Sequence, residues 1–184
     1  FESVNYRKAR VRVRKIFANN LLQFFQQNYY DDQYYSSMDY VSRVVRDTTI
    51  DLGARSSTRL DQSNTYSLDL SRLITDSRKS MYLLEIRGVD PLTPVDDEYD
   101  YDYYFGDYRT YKERSKVVVQ SDIGLICKSS GSDQYVVYTT DLVSARPKGG
   151  CKVRTYDRQN QMLAEASTDS EGRAVLRTKD EPYI

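Results

Sequence analysis

Between residues 135 and 178 short apolar stretches alternate with clusters of turn-forming residues, and this spacing constrains the fold more than any other feature. Tyr135–Thr140, Cys151–Tyr156, Met162–Ser167 and Arg173–Thr178 read as strands. The segments between them are rich in Asp, Asn, Ser, Gly and Pro: Asp141 to Gly150, with Pro147 and Gly149, then Asp157–Asn160, then Thr168–Gly172. Asp and Asn fix turns by bonding their own backbone, glycine supplies positive φ, and proline cannot continue a ladder. Strands repeating every 8–12 residues with such turns predict an all-β antiparallel sandwich. Upstream, Ser115–Lys128 is one long strand-like run, beyond the usual five or six residues. We expect it to end one module and continue into the next, with the boundary near Gln120–Asp122, giving modules 1–120 and 121–184. About five strands fall in the second, against the roughly seven of a full sandwich, which leaves room for a truncated second module.

The first 120 residues read as a β module with one short helix. From Val11 to Ile16 apolar and basic residues alternate, the period of a half-exposed strand. The basic side is expected to be a solvated sheet face matched by acids elsewhere, with a polyanion-binding stripe as the other reading. Leu21, Leu22, Phe24 and Phe25 fit one side of a short helix, N-capped by Asn19 or Asn20 and docked over an open end of the sandwich. Further strands are expected at Val41–Leu52, Tyr66–Leu70 and Lys79–Gly88. Loops are expected at Asn28–Ser37, Asp61–Asn64 and Asp90–Pro94.

Composition narrows the chemistry. Histidine is absent, which removes the commonest general base and transition-metal ligand. Serine–histidine and cysteine–histidine catalysis are excluded within this sequence, as are most zinc sites. Lys+Arg and Asp+Glu are equal at 27 each, so no net field draws the chain to nucleic acid or anionic membrane. No segment approaches the roughly 20 apolar residues of a membrane span. The two cysteines, Cys127 and Cys151, are expected to be buried free thiols inside strands, with a bridge between neighbouring strands as the lesser alternative. Neither a cofactor nor a metal is expected. The start at Phe1-Glu2-Ser3 and the end at Pro182-Tyr183-Ile184 are read as cuts in a longer polypeptide.

Tyrosine occurs 18 times and tryptophan never. It concentrates with carboxylates in Asp96–Tyr111. Spacing there does not match the fixed ligand offsets of a calcium loop. The segment is expected to be a long exposed hairpin or loop, and the candidate partner-contact residues lie in it: Asp97, Tyr99, Asp100, Tyr101, Asp102, Tyr103 and Tyr104. Glycosidase-type chemistry by Asp100 and Asp102 is weighed and set aside, because no apolar pocket sets their pKa values apart.

An ordered set of motifs carries a resemblance. Val117–Lys128 has Ser121-Asp122-Ile123-Gly124-Leu125 at its centre. Thr140-Asp141-Leu142, Pro147, Gly150-Cys151-Lys152-Val153-Arg154-Thr155-Tyr156-Asp157 and Thr168-Asp169-Ser170-Glu171-Gly172-Arg173-Ala174 follow. In this order the set resembles the macroglobulin-like domains of bacterial alpha-2-macroglobulins, which are fibronectin- or Ig-like sandwiches. The first module is similar to a preceding domain of that family at Val4-Asn5, the basic strand, Asn20-Leu21, Phe24 and Tyr82. Ala145 stands where the family commonly has glycine, Lys148 where it has an apolar residue, and Cys151 where it tends to have alanine.

The resemblance implies two consecutive non-enzymatic scaffold modules of a large extracytoplasmic endopeptidase inhibitor, in the periplasm or at the cell surface and in many cases lipid-anchored. Its partners would be other domains of the same chain and, through the whole protein, proteases. The family's thioester motif, Cys-x-Glu-Gln, is absent, so neither cysteine inherits that role. An adhesin or glycan-binding module using the acidic tyrosine-rich loop is the alternative.

Overall fold

Residues 8–16 form a strand of nine residues whose burial follows the apolar–basic alternation: Ala9, Val11 and Val13 are buried, Lys8 and Arg10 exposed. The computed structural model describes residues 1–26, 38–53, 61–76, 79–89, 113–131 and 133–184. Backbone contacts divide the chain into two compact units, Phe1–Val119 and Gln120–Ile184. The fold is all-β and antiparallel, with short helices in the first unit only among the described residues.

The first unit contains β1 (Glu2–Ser3), β2 (Lys8–Ile16), β3 (Ser42–Asp51), β4 (Asn64–Thr65), β5 (Ser80–Gly88) and β6 (Glu113–Gln120). Strands β3, β2, β5 and β6 make one four-stranded sheet in that order, while β1 and β4 pair separately. In register, Val11 and Val13 oppose Ile86 and Leu84 of β5. These four pack with Tyr82, Ile50, Leu68 and Leu70 into the core on one face. On the other face Arg14 opposes Leu83 and Arg12 opposes Glu85. Helices α1 (Leu21–Gln26) and α2 (Met38–Val41) cover one end of that second face. There Phe24, Met38 and Val41 close over Ile16 and Leu83. Among the described residues, helices cover the second face at that end of the sheet alone.

Several local expectations are corrected. Neither Asn19 nor Asn20 caps the first helix. The chain enters through a 3-10 turn, Ala18–Asn20, preceded by Phe17 with no side-chain cap, and the Asn20 amide donates to the Tyr40 carbonyl instead. Residues 66–70 are not a strand. They lead into α3 (Leu70–Leu73), capped by Asp69, whose carboxylate accepts from the Ser71 amide. Alternation at Ser67-Leu68-Asp69-Leu70 mimicked strand periodicity, and the Asp69 cap decided for helix.

The second unit contains β7 (Ile123–Ser129), β8 (Gln134–Asp141), β9 (Lys152–Tyr156), β10 (Met162–Ser167) and β11 (Arg173–Arg177). The long run 115–128 is thus two strands rather than one. It breaks at Ser121-Asp122, where the Ser121 hydroxyl accepts from the Ile123 amide. A three-stranded sheet, β11-β8-β7, faces a two-stranded sheet, β10-β9. Val137, Val153, Ala174 and Leu176 form the core between them. The turns use the aspartates that the sequence marked. Asp141 accepts from the Val143 and Ser144 amides, and Asp169 from those of Glu171 and Arg173.

Candidate functional site

The seven partner-contact candidates, Asp97, Tyr99, Asp100, Tyr101, Asp102, Tyr103 and Tyr104, lie outside the described residues. So do Asn28–Ser37 and Asp90–Pro94. Among the described residues two surfaces stand out, one charged and one apolar.

The charged surface is the uncovered part of the β2 face. Arg10 donates twice to the Asp47 carboxylate, at 2.7 Å each, and Arg12 donates once. Those hydrogen bonds, Arg10 first, hold the Asp47 carboxyl below the usual range despite partial burial. Further along, Arg14 is buried where α2 overlies the sheet. Its guanidinium donates to both oxygens of Glu85, at 3.1 and 3.2 Å, and to Asp39 of α2 at 2.6 Å. Burial alone would lower the Arg14 pKa, but the Asp39 hydrogen bond and the Glu85 charge outweigh it and raise the value. Lys15 pairs with Asp76 at 2.7 Å.

The expected match of basic residues by acids is therefore present. What changes is the solvation: Arg14 is a buried member of an ion network, because a helix lies over that end of the face. A stripe whose arginines already hold carboxylates has little left for a polyanion. The hollow lined by Arg10, Arg12, Glu85 and Arg87 holds about 20 Å³, room for a water molecule and not for an organic substrate. Among the described residues no group of three or more Cys, Asp or Glu side chains could hold a metal ion. No described helix is long and apolar enough to cross a membrane.

The apolar surface belongs to β7, one of the two edge strands of the three-stranded sheet. Leu125 opposes Thr139 and Cys127 opposes Val137, so both share the face on which β8 buries its core residues. Thr139 and Val137 are buried there, yet Leu125 is 59% exposed. Cys127 is likewise exposed and free, and Cys151 is half-buried and free. This corrects the expectation of two buried thiols. Burial within a strand needs a covering layer, and among the described residues none lies over β7. On the opposite face Ile126, also 59% exposed, opposes the exposed Tyr138 of β8. Edge strands are normally blunted by charge or covered; Ile123-Gly124-Leu125-Ile126-Cys127 carries no charge, which marks it as a contact strand. Residues 123–127 were legible as part of a strand-like run. That it sits at an edge was not, because edge position depends on sheet order.

Beside β7, Lys148 bridges Asp122 and Asp141, at 3.4 Å each. Ser144, by its amide and hydroxyl, pulls the Asp141 carboxyl down to about 2. Ala145 adopts φ 56°. Both departures from the resembled pattern thus find a local account: Lys148 ties two acids, and Ala145 keeps the backbone shape that a glycine would take freely. Gly150 has φ 76°, and the close approach of backbone in this turn is at its neighbour Gly149, where a Cβ would meet the Asp169 carbonyl.

Comparison with known proteins agrees with this geometry. Residues 120–183 match the family model of the bacterial alpha-2-macroglobulin MG3 domain. Native alpha-2-macroglobulin from Escherichia coli spanning domains NIE-MG1 is similar in fold over 98% of this chain and 78% of that one, with a TM-score of 0.69 and 14% identity. A structure of the same E. coli protein spanning MG0-NIE-MG1 gives a TM-score of 0.62 and 18% identity over 98% of this chain. The chain spans about half, 51%, of that second structure. A comparison with curated protein sequences finds no match. The chain thus shares the fold of E. coli alpha-2-macroglobulin domains along its length, and its residues 120–183 match the model of the bacterial alpha-2-macroglobulin MG3 domain.

Proposed function

We propose that these residues are non-catalytic scaffold modules of an extracytoplasmic endopeptidase inhibitor, a protease trap of the alpha-2-macroglobulin kind. The match of residues 120–183 to the MG3 model carries this reading. Its modules are residues 1–120 and 121–184, which serve to place other domains of the same chain. The outward apolar pair Ile126 and Tyr138 supports such a role, since exposed large apolar side chains on adjacent strands favour a neighbouring domain over water. Proteases are partners of the whole protein rather than of these residues. The site of action is outside the cytoplasm.

The test uses the whole protein, mixed with an endopeptidase. A trapped protease keeps its activity on small peptide substrates and loses it on large protein substrates. That split is the expected result. Unchanged cleavage of the large substrate at saturating inhibitor overturns the proposal. Glycan binding that disappears when residues 97–104 are replaced by a Gly-Ser turn promotes the adhesin alternative.

A further inference from the structure

In β7 the residues Ile123-Gly124-Leu125-Ile126-Cys127 carry no charge, and they lie between Asp122 and Lys128. The other edge strands of the three- and four-stranded sheets are guarded. β3 carries Arg43, Arg46 and Asp47 and a register shift against β2. β6 carries Arg114 and Lys116, and β11 begins and ends with arginine. Charges and bulges are what keep a sheet edge from pairing with another chain. Between Asp122 and Lys128 β7 has neither, since its pairing with β8 runs without a register shift.

The backbone of β7 has a definite direction. The Leu142 amide donates to the Asp122 carbonyl at 2.9 Å, and the Ser130 amide to the Gln134 carbonyl at 2.7 Å. Both bonds continue the register in which Ile123 opposes Asp141 and Ser129 opposes Tyr135. Backbone groups of successive residues in an antiparallel strand point to alternate edges. Asp122, Gly124, Ile126 and Lys128 therefore bond towards β8, while Ile123, Leu125 and Cys127 turn their amides and carbonyls outward. Among the described residues no strand pairs with that outer edge. At Ile123 the Ser121 hydroxyl accepts from the amide, at 3.0 Å, and lies 3.3 Å from the carbonyl.

We infer that the outer edge of β7 pairs with the same edge of a second copy of this chain, antiparallel about a two-fold axis at Leu125. The residues around Leu125 select this occupant. In this register Leu125 opposes Leu125 of the copy, Ile123 opposes Cys127, Gly124 opposes Ile126, and Asp122 opposes Lys128. The uncharged residues meet one another, and unlike charges meet at both ends, where they stabilise cross-strand pairing. The outward groups also match: Leu125 exchanges backbone hydrogen bonds with Leu125, and Cys127 with Ile123, whose amide the Ser121 hydroxyl gives up. A shift to the next register that keeps outward groups opposed sets Lys128 against Gly124 in one direction and Asp122 against Ile126 in the other, so the charges meet in this register alone. Such a contact is isologous and closed. The paired edge is short, so the dimer is weak and forms with rising concentration. The side chains of Ile126 and Tyr138 stay on the sheet face, so the inference is independent of the scaffold role.

Sedimentation equilibrium and residue-by-residue hydrogen exchange on the 184-residue chain, over a series of concentrations, test this. The average mass should rise from that of one chain towards that of two. The Leu125 and Cys127 amides, fast at the lowest concentration, should slow by about tenfold or more as it does, while those of Gly124 and Ile126 are slow throughout. Lys128→Glu, which sets like charges opposite one another, should raise the dissociation constant by about tenfold. Leu125→Cys with Cys127→Ser and Cys151→Ala should close a disulfide between copies on mild oxidation, because opposed residues of a hydrogen-bonded pair lie about 5.5 Å apart at Cα. Cys127 with Leu125 intact should not link to itself. A single-chain mass at every concentration overturns the inference, as does an unchanged dissociation constant for Lys128→Glu, or a link between the two Cys127 residues. Slow Leu125 and Cys127 amides at the mass of one chain would give the edge to another segment of the same chain and overturn it as well.

Discussion

At the scale of single residues, the turns of the second unit hold their shape through φ angles that side chains resist. Gly172 has φ 69°, and a Cβ there would meet the Thr139 carbonyl. Gly172→Ala should therefore destabilise the unit by about 2 kcal/mol or more, read as a fall in the urea midpoint. Ala145 has φ 56° with a side chain already in place. Here Ala145→Gly should go the other way and stabilise by about 0.5 kcal/mol, since relief of left-handed strain exceeds the added chain entropy. Asp141 gives a pH signature. Its folded-state pKa is lowered to about 2 by the Ser144 amide and hydroxyl. A depressed carboxyl pKa adds stability above the unfolded value, near 4, and loses it as pH falls through the folded one. Stability should thus decline between about pH 4 and pH 2, and Asp141→Asn should flatten that part of a thermal-melt series against pH. Turn chemistry of this sort was legible beforehand. Asp141, Asp169 and Gly172 were marked by residue type alone, because the bonds they make are local. The exposure of Cys127 was not legible, because it depends on what lies over β7.

At the scale of elements, β2 shows where periodicity succeeds and where it stops. Alternation identified the strand and assigned Val11 and Val13 to a core face correctly. It also assigned every basic residue to solvent, and Arg14 contradicts this. The reason is α2, which lies over one end of that face and brings Asp39 to the Arg14 guanidinium. A helix four residues long, Met38–Val41, leaves almost no periodic trace, so no reading of residues 11–16 could include it. Residues 66–70 failed similarly: a short alternating run is ambiguous, and the Asp69 cap settled it. The buried network yields a double-mutant prediction. Glu85 is 1% exposed, and Glu85→Ala should cost about 3 kcal/mol or more, since it strips the buried Arg14 charge of one partner. Replacing both, Arg14→Met with Glu85→Leu, should restore much of that loss, because two apolar side chains need no compensation in the core. Denaturant unfolding of Arg14→Met, Glu85→Leu and the pair checks this; additive losses would mean that the two side chains do not couple and would overturn the prediction.

At the scale of the whole molecule, the cores of the two units are built from different residues and differ in size. Among the described residues the first holds two clusters, around Phe24 with Leu83 and around Val11 with Tyr82. The second holds a single small one, Val137, Val153, Ala174 and Leu176, and a module of about 60 residues is marginal on surface-to-volume grounds. The boundary near Gln120 was argued from strand length and turn spacing, both local signals. Which residues each core would own could be read only as far as strand faces could be paired. We expect residues 1–120 and 121–184 to unfold as separate units, the second at lower temperature. Calorimetry of the 184-residue chain should show two transitions. Leu176→Ala removes a buried side chain from the smaller core at a cost of about 2–5 kcal/mol, which should erase or sharply lower the first transition and leave the second in place. Phe24→Ala, at about 3–5 kcal/mol, should lower the second alone. A single transition shifted by both substitutions would show one cooperative unit and remove the two-module proposal.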